Sequence, residues 1–262
     1  KDPNEGTAKL SYIASEQAEL IEYVALQKRN SALKKDQKEK LKGQNSTITK
    51  SEFYLGAGKR VVHSSLSPNG DKLIVSIASS KSSRKDSDIM PNYIADDGHI
   101  KAEKVRARVA DNRKYSEELW LLDLKSGQKF PLSYESLPGF DEDVLAAERK
   151  ENFQREGKVY QSKRSARDIH IMQAYNPIKW HPNGKQVALL LEAWDNKDRW
   201  LARVNLLENK LESQHRLHDQ AWINWTFNEF GWLGDDNHLY YLSEESGYSH
   251  IYTKSLKGKA KQ

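Results

Sequence analysis

Hydrophobic and polar positions change rhythm once along the chain. From residue 10 to 42 the apolar residues Leu10, Ile13, Ala14, Leu20, Ile21 and Val24 fall at spacings of three, four and seven, with no Pro or Gly before Gly43. That periodicity predicts one long helix with an apolar stripe. A short stripe of this kind suits a helix packed on its own domain, with a partner-binding helix as the sharper alternative. Residues 43–60, with Asn45-Ser46-Thr47 and Gly56-Ala57-Gly58, read as a linker.

After Arg60 the pattern becomes that of strands. The run Val61 to Ser67 leads into Pro68-Asn69-Gly70-Asp71 and then Lys72 to Ala78, two β-rich segments about a turn whose Asn-Gly favours positive φ. The same device returns from Tyr175 to Leu191, about the turn His181-Pro182-Asn183-Gly184. A degenerate third copy runs from Glu229 to Ser243, with Gly234-Asp235-Asp236 in place of Pro-Asn-Gly. Each copy is followed by a second strand pair: Glu118 to Leu124 with Lys129 to Leu132, Trp200 to Leu206 with Lys210 to Glu212, and His250 to Leu256 before the turn at Lys257-Gly258.

Four short strands per unit, repeated three times, is the pattern of β-propeller blades, in which stacked small sheets protect one another's edges. The expected fold is therefore mainly β, a partial β-propeller of four-stranded antiparallel blades with an N-terminal α-helix and a helical insertion. Residues 1–60 form the helix and linker, and residues 61–262 about three blades. Helical or charged insertions at 79–115 and 134–174 lie outside the sheets. The first includes the polar run Ser79 to Asp86. The second includes Asp141 to Lys150, whose acidic start and basic end suit a helix dipole. Loops of this length are uncommon without a purpose, so specificity could sit there.

Composition sharpens this picture. The 37% of apolar residues, Tyr included, is low for a globular domain, whereas 7 Trp and 12 Tyr argue against wholesale disorder. The insertions carry the polar surplus. With no Cys, disulfide scaffolds, thiolate zinc sites and a Cys nucleophile are all excluded. The net charge of +5 is spread through mixed-sign segments. The densest basic run, Lys28 to Lys42, contains Asp36 and Glu39 and no aromatic residue, so it reads as a solvated helix end and no nucleic-acid partner is expected. No run approaches the roughly 18 apolar residues of a spanning helix. The chain begins with Lys rather than Met, and Lys257 to Gln262 reads as a turn running into a missing strand, so both ends are expected to be cut. Removal of a signal peptide would fit a periplasmic or secreted location, with the cytoplasm as the alternative.

The third copy is the most specific. The run Trp232 to Tyr252, and above all Ser243-Glu244-Glu245-Ser246-Gly247-Tyr248-Ser249-His250-Ile251-Tyr252, resembles the propeller of the dipeptidyl peptidase IV group in the prolyl oligopeptidase family of serine peptidases. Ser67-Pro68-Asn69-Gly70 and His181-Pro182-Asn183-Gly184 agree with that group and with many other propellers. The resemblance covers residues 61–262 and leaves out the helical start. It implies that Gly247, Tyr248 and His250 belong to a structural blade motif. It also implies that the propeller gates or binds peptide substrates for a C-terminal α/β-hydrolase domain, which would carry the Ser, Asp and His. No cofactor or metal is implied.

Two features of the family are missing. A nucleophile elbow requires G-x-S-x-G at a strand-to-helix turn, and Gly247-Tyr248-Ser249-His250-Ile251 lacks the closing Gly. No catalytic residue is therefore assigned in this chain, which alone is expected not to cleave peptides. The adjacent glutamates with which the group's aminodipeptidases hold a free amine, in a segment resembling D-W-x-Y-E-E, are also absent. Glu117-Glu118 merely opens a strand. Glu244 and Glu245 remain as candidate substrate contacts, set against a capped turn or a structural ion pair.

Other constellations are weaker. His215 and His218-Asp219 do not match H-E-x-x-H and read as part of a polar loop, so no metal is assigned. Trp222, Trp225, Phe227, Phe230 and Trp232 nearly alternate. They read as core filling between blades, or, where exposed on a rim, as a peptide-docking surface. The leading reading is thus the propeller region of a serine peptidase of this family, with a peptide substrate and its own hydrolase domain as partners and a homo-oligomer as a further possibility. The alternative is a non-enzymatic propeller that binds proteins.

Overall fold

The computed structural model describes residues 12–45, 52–80, 88–94, 96–105 and 116–262, in two compact units, Lys1–Glu52 and Phe53–Gln262. Leu10, Ser46-Thr47 of the linker and Lys81 to Asp86 of the first insertion lie outside the described residues. The first unit is one helix, α1 (Tyr12–Gln44), none of whose residues is buried. At 100° per residue, Tyr12, Ile13, Leu20, Ile21, Tyr23, Val24, Leu26, Leu33 and Leu41 spread over more than half the circumference rather than lining one face.

The second unit is mainly β, a partial propeller of three stacked antiparallel sheets. The first blade has the order β1 (Lys59–Leu66), β2 (Lys72–Ser79), β5 (Glu118–Asp123), β6 (Lys129–Leu132). Between β2 and β5 the first insertion folds into a separate hairpin, β3 (Asp88–Asn92) and β4 (Lys101–Val105). That hairpin was not expected, because the run Asp88-Ile89-Met90-Pro91-Asn92 has no apolar–polar alternation and holds a Pro. The second blade is β9 (Val187–Ala193), β10 (Asp198–Asn205) and β11 (Lys210–His218), with β7 (Ile169–Ile171) and β8 (Ile178–Trp180) sharing one edge of β9. The two short strands are one inner strand interrupted near Asn176, at φ 53°, and Pro177. The second insertion therefore does not lie wholly outside the sheets, since β7 belongs to it. The third blade is β12 (Phe230–Trp232), β13 (His238–Ser243), β14 (His250–Ser255) and β15 (Ala260–Lys261). The strand expected to be missing after Lys257-Gly258 is present as β15.

The middle blade is buried on both faces, which explains the unbroken apolar run Val187 to Leu191. Val187, Leu189, Leu191, Trp200, Ala202 and Val204 pack on Ile74, Leu119, Leu121 and Leu132 of the first blade. Ala188, Leu190 and Leu201 pack on Phe230, Leu239, Tyr241 and Tyr252 of the third. Each inner-strand Trp ties its blade to the preceding one: the Trp180 ring N–H donates to Ser65 Oγ (3.1 Å) and that of Trp232 to the Lys179 carbonyl (2.9 Å).

The repeated turns are joined in the same direction. Asn69 donates to the Asn183 carbonyl (3.2 Å), and Asn183 to Asp236 Oδ2 (2.8 Å). In both Pro-Asn-Gly turns only the Gly takes positive φ, Gly70 at 66° and Gly184 at 71°, and each Gly N–H closes on the carbonyl three residues before it. The Asn residues are left free to reach sideways. A Cβ at Gly184 would meet the Asn69 amide at 2.3 Å, so this glycine serves both the turn and the contact between blades.

Sequence reasoning placed a helix over Asp141 to Lys150, whereas α2 is Ala146–Arg155. The acidic residues before it are spent on ion pairs: Arg164 binds Asp141 and Arg216 binds Glu142, while Arg149, Tyr160 and Ser162 converge on Asp143. Strand β11 continues to His218, so His215 and His218 sit in a strand rather than the expected polar loop. Leu211, Gln214 and Leu217 are buried along it, with a register shift beside Leu201 and Ala202.

The two faces of the third blade differ in cover. Leu239, Tyr241 and Tyr252 are covered by the second blade, whereas Ile251, paired with Leu242 on the opposite face, is 63% exposed.

Candidate functional site at the seam of the second and third blades

The aromatic stretch divides at Phe230. Phe230 is in the core and Trp232 half-buried, but Trp222, Trp225 and Phe227 are 61%, 70% and 47% exposed in the loop between β11 and β12. Exposed large rings need a reason to hold their places, and this loop is closely tied down. Asp219 Oδ1 accepts from the N–H groups of Ala221 and Trp222, and Lys197 donates to the Gln220 carbonyl (2.6 Å). The Ile223 N–H donates to the Asn196 carbonyl (2.9 Å), and Asn228 donates to the Trp225 carbonyl (2.9 Å). Phe227 lies at φ 54°, a conformation that costs a bulky side chain energy and persists only where the surroundings impose it.

Beneath the loop lies Arg199, on the face of β10 that meets the third blade. Only 5% of it is exposed. Its guanidinium points toward the carbonyls of Asn224 and Phe227, both at 3.5 Å, and burial lowers its pKa against the opposing pull of Glu244 and Glu192. Register explains the grouping: Glu192 is opposite both Arg199 on β10 and His170 on β7, and His170 Nε2 lies 3.0 Å from Glu192 Oε1. Trp194, just after β9, rests edge-on to the His170 ring at a centroid distance of 6.1 Å.

From the third blade come the residues singled out in the sequence. Glu244 and Glu245 follow β13, and the Glu244 carbonyl accepts from the N–H of Gly247, which sits at φ 92° in the turn before β14. Tyr248 is exposed at that turn, and His250 opens β14 opposite Ser243. Glu245 Oε2 is 3.7 Å from His215 Nδ1. The other ring nitrogen of His215 lies 3.2 Å from Ser243 Oγ, and the ring stacks on Tyr241 at 4.6 Å. The fold thus brings Glu244 and Glu245 to the edge of the Arg199 cluster and leaves Gly247 and Tyr248 at the turn. Arg199, Glu192 and Asn196 were not singled out, because one charged residue in a strand and one Asn in a turn carry no local signature.

A narrow crevice of ≈ 10 Å³, room for about one water molecule, is lined by Leu190, Arg199, Leu201, His215, Asn228, Glu229, Tyr241 and Leu242. That is far below the roughly 300–1,000 Å³ of a small-molecule site, so the exposed rings, not the crevice, are the surface open to a ligand. Among the described residues no three His, Cys, Asp or Glu side chains converge as a metal site.

Burial, then the nearby charges of Arg199 and Lys254, depress the His215 pKa to about 4. The imidazole is therefore neutral in the fold at pH 7. Because the unfolded chain takes up the proton first, stability contributed by neutral His215 is complete above about pH 6.5 and falls as pH drops toward 4, by about 3 kcal/mol over that interval. Urea titrations at pH 7 and pH 4.5 should show this loss, and His215→Gln should flatten it. An identical pH slope in the variant would assign the effect to other groups.

No protein-family model matches the chain, and no curated protein matches it in sequence. Similar chains occur among solved structures. A protein described as a dipeptidyl aminopeptidase IV, from Bacteroides ovatus ATCC 8483, is 14% identical with a TM-score of 0.47 over 79% of this chain and 26% of its own. Dipeptidyl peptidase 4 of Porphyromonas gingivalis is 15% identical with a TM-score of 0.48 over 76% of this chain and 23% of its own. An oligogalacturonate lyase in complex with manganese is 11% identical with a TM-score of 0.28, over 79% and 54%. The chain thus spans about a quarter of the length of the two peptidases to which it is similar.

Proposed function

We propose that these blades are the peptide-docking part of a dipeptidyl-peptidase-like serine peptidase of the prolyl oligopeptidase family, presenting substrate to an α/β-hydrolase domain of the same protein. The observation that carries the proposal is the exposed but tightly held loop of Trp222, Trp225 and Phe227 beside the carboxylates of Glu229, Glu244 and Glu245. Flat rings accept apolar and prolyl side chains at little entropic cost, and carboxylates accept a free amino terminus through charge-assisted hydrogen bonds. The peptide would run along the seam, with its side chains against the exposed rings. Hydrolysis belongs to the other domain in this reading, which agrees with the lack of a G-x-S-x-G segment in these 262 residues.

The test is fluorescence anisotropy with the peptide Ala-Pro-Phe-Ala, dye-labelled at its C-terminus, and with its N-acetylated counterpart. The free-amine peptide should bind, and acetylation should weaken it, as should the double variant Trp222→Ala with Trp225→Ala, each by about tenfold. Binding that is equal for all forms, or absent at millimolar peptide, would sink the proposal.

A further inference from the structure

One residue holds the exposed loop from below. Asn196 lies in the turn between β9 and β10, at φ 60°, with its N–H on the Ala193 carbonyl (2.9 Å). Its own carbonyl accepts from the Ile223 N–H (2.9 Å), its side-chain N–H reaches the Ile223 carbonyl (3.4 Å), and its Oδ1 accepts the ring N–H of Trp225 (3.0 Å). An indole 70% exposed has little packing to fix it. Here its one polar atom is fixed instead, which orients the ring and leaves the face open. The left-handed turn conformation, which Asn tolerates better than most residues, aims the amide at the loop.

We infer that Asn196 is a positioning residue for ligand binding, holding the Trp225 indole so that its face is preorganised for a peptide side chain. The inference rests on the peptide-docking reading. The second blade thereby sets the geometry of a loop that leads into the third, and the ligand does not have to order the ring on binding. Preorganisation of this kind contributes to affinity by removing the ordering cost of a contact side chain.

The test compares Asn196→Gly, which keeps the turn conformation and removes the amide, with Asn196→Asp, which keeps an oxygen acceptor for the indole. In the free protein, indole ¹⁵N relaxation should show Trp225 ordered in the parent chain and in Asn196→Asp, and mobile on the nanosecond scale in Asn196→Gly. Affinity for the free-amine Ala-Pro-Phe-Ala peptide should fall about fivefold in Asn196→Gly and return to within about twofold of the parent in Asn196→Asp. Thermal melts establish that each variant is folded at the temperature of measurement. An ordered indole in Asn196→Gly overturns the inference, as does a mobile indole with unchanged affinity. If the parent chain itself binds no peptide, the docking reading fails first, and the positioning role fails with it.

Discussion

Asp198→Ala should lower the stability of the propeller unit by about 3–5 kcal/mol, the cost of leaving buried cations without their counter-charge. The Asp198 side chain is wholly buried at the start of β10. Arg167 donates to its Oδ2 (2.6 Å), Arg216 donates to its Oδ1 (2.6 Å), and His218 Nδ1 lies 3.1 Å from the same oxygen. Both arginines carry the network into the second insertion: Arg167 also donates to the Gly139 carbonyl (3.0 Å), and Arg216 to Glu142 Oε2 (2.7 Å). The aspartate therefore fastens residues 139–142 to the second blade. Besides the loss measured by urea unfolding, limited proteolysis should open the variant within the second insertion while the parent resists. Asp198→Asn, which keeps the volume and one acceptor, should lose less. A change below about 1 kcal/mol for Asp198→Ala would mean that Asp195, which accepts from Arg167 at 2.7 and 3.0 Å, and Glu142 alone satisfy the arginines.

Trp200→Ala should by itself cost about 3–5 kcal/mol, and Trp225→Ala less than about 0.5 kcal/mol. The residues are alike in type and in having a ring N–H partner, since Trp200 donates to the Pro138 carbonyl (2.9 Å) and Trp225 to Asn196. They differ in burial: Trp200 has no exposed surface, lies in the core shared with the first blade and carries the Arg167 guanidinium over its ring at 5.5 Å. Truncating it opens a cavity and frees Arg167 at once, so its effect and that of Asp198→Ala will not add. Calorimetric or urea unfolding of the two Trp variants measures the contrast. A Trp225 variant as unstable as the Trp200 variant would make the exposed loop part of the core and remove the reason for assigning it to binding.

The blades were legible in the sequence because their signals are local and repeated. Pro68-Asn69-Gly70 and Pro182-Asn183-Gly184 dictate tight turns, and the apolar runs Leu73 to Val75 and Val187 to Leu191 mark strands covered on both faces. Elements were missed where the signal is long-range. Strand β7 is only Ile169–Ile171, and it becomes a strand because β9 offers an edge. Strand β11 extends through Gln214 and His215 because β10 is there to pair with them. The apolar residues of α1 suggested a packed stripe, but a few matching spacings do not make a face when other apolar residues surround them.

The site follows the same division. Trp222, Trp225, Phe227, Glu244 and Glu245 were visible as unusual residues, and no spacing could show that three of the rings are exposed, that Glu244 lies near Arg199 or that Glu245 lies beside His215. Arg199, Glu192 and His170 meet only because three strands place them side by side. Asn196 reaches Trp225 across 29 positions of sequence.

The most direct measurement of the docking claim is the indole region of a ¹H–¹⁵N spectrum during titration with the free-amine Ala-Pro-Phe-Ala peptide, with the Trp signals assigned by single substitution. The docking surface predicts that Trp222 and Trp225 shift progressively and saturate, that Trp194 shifts less, and that the buried Trp200 does not move. Saturable shifts confined to Trp120 or Trp180, or a spectrum unchanged at millimolar peptide, would contradict it.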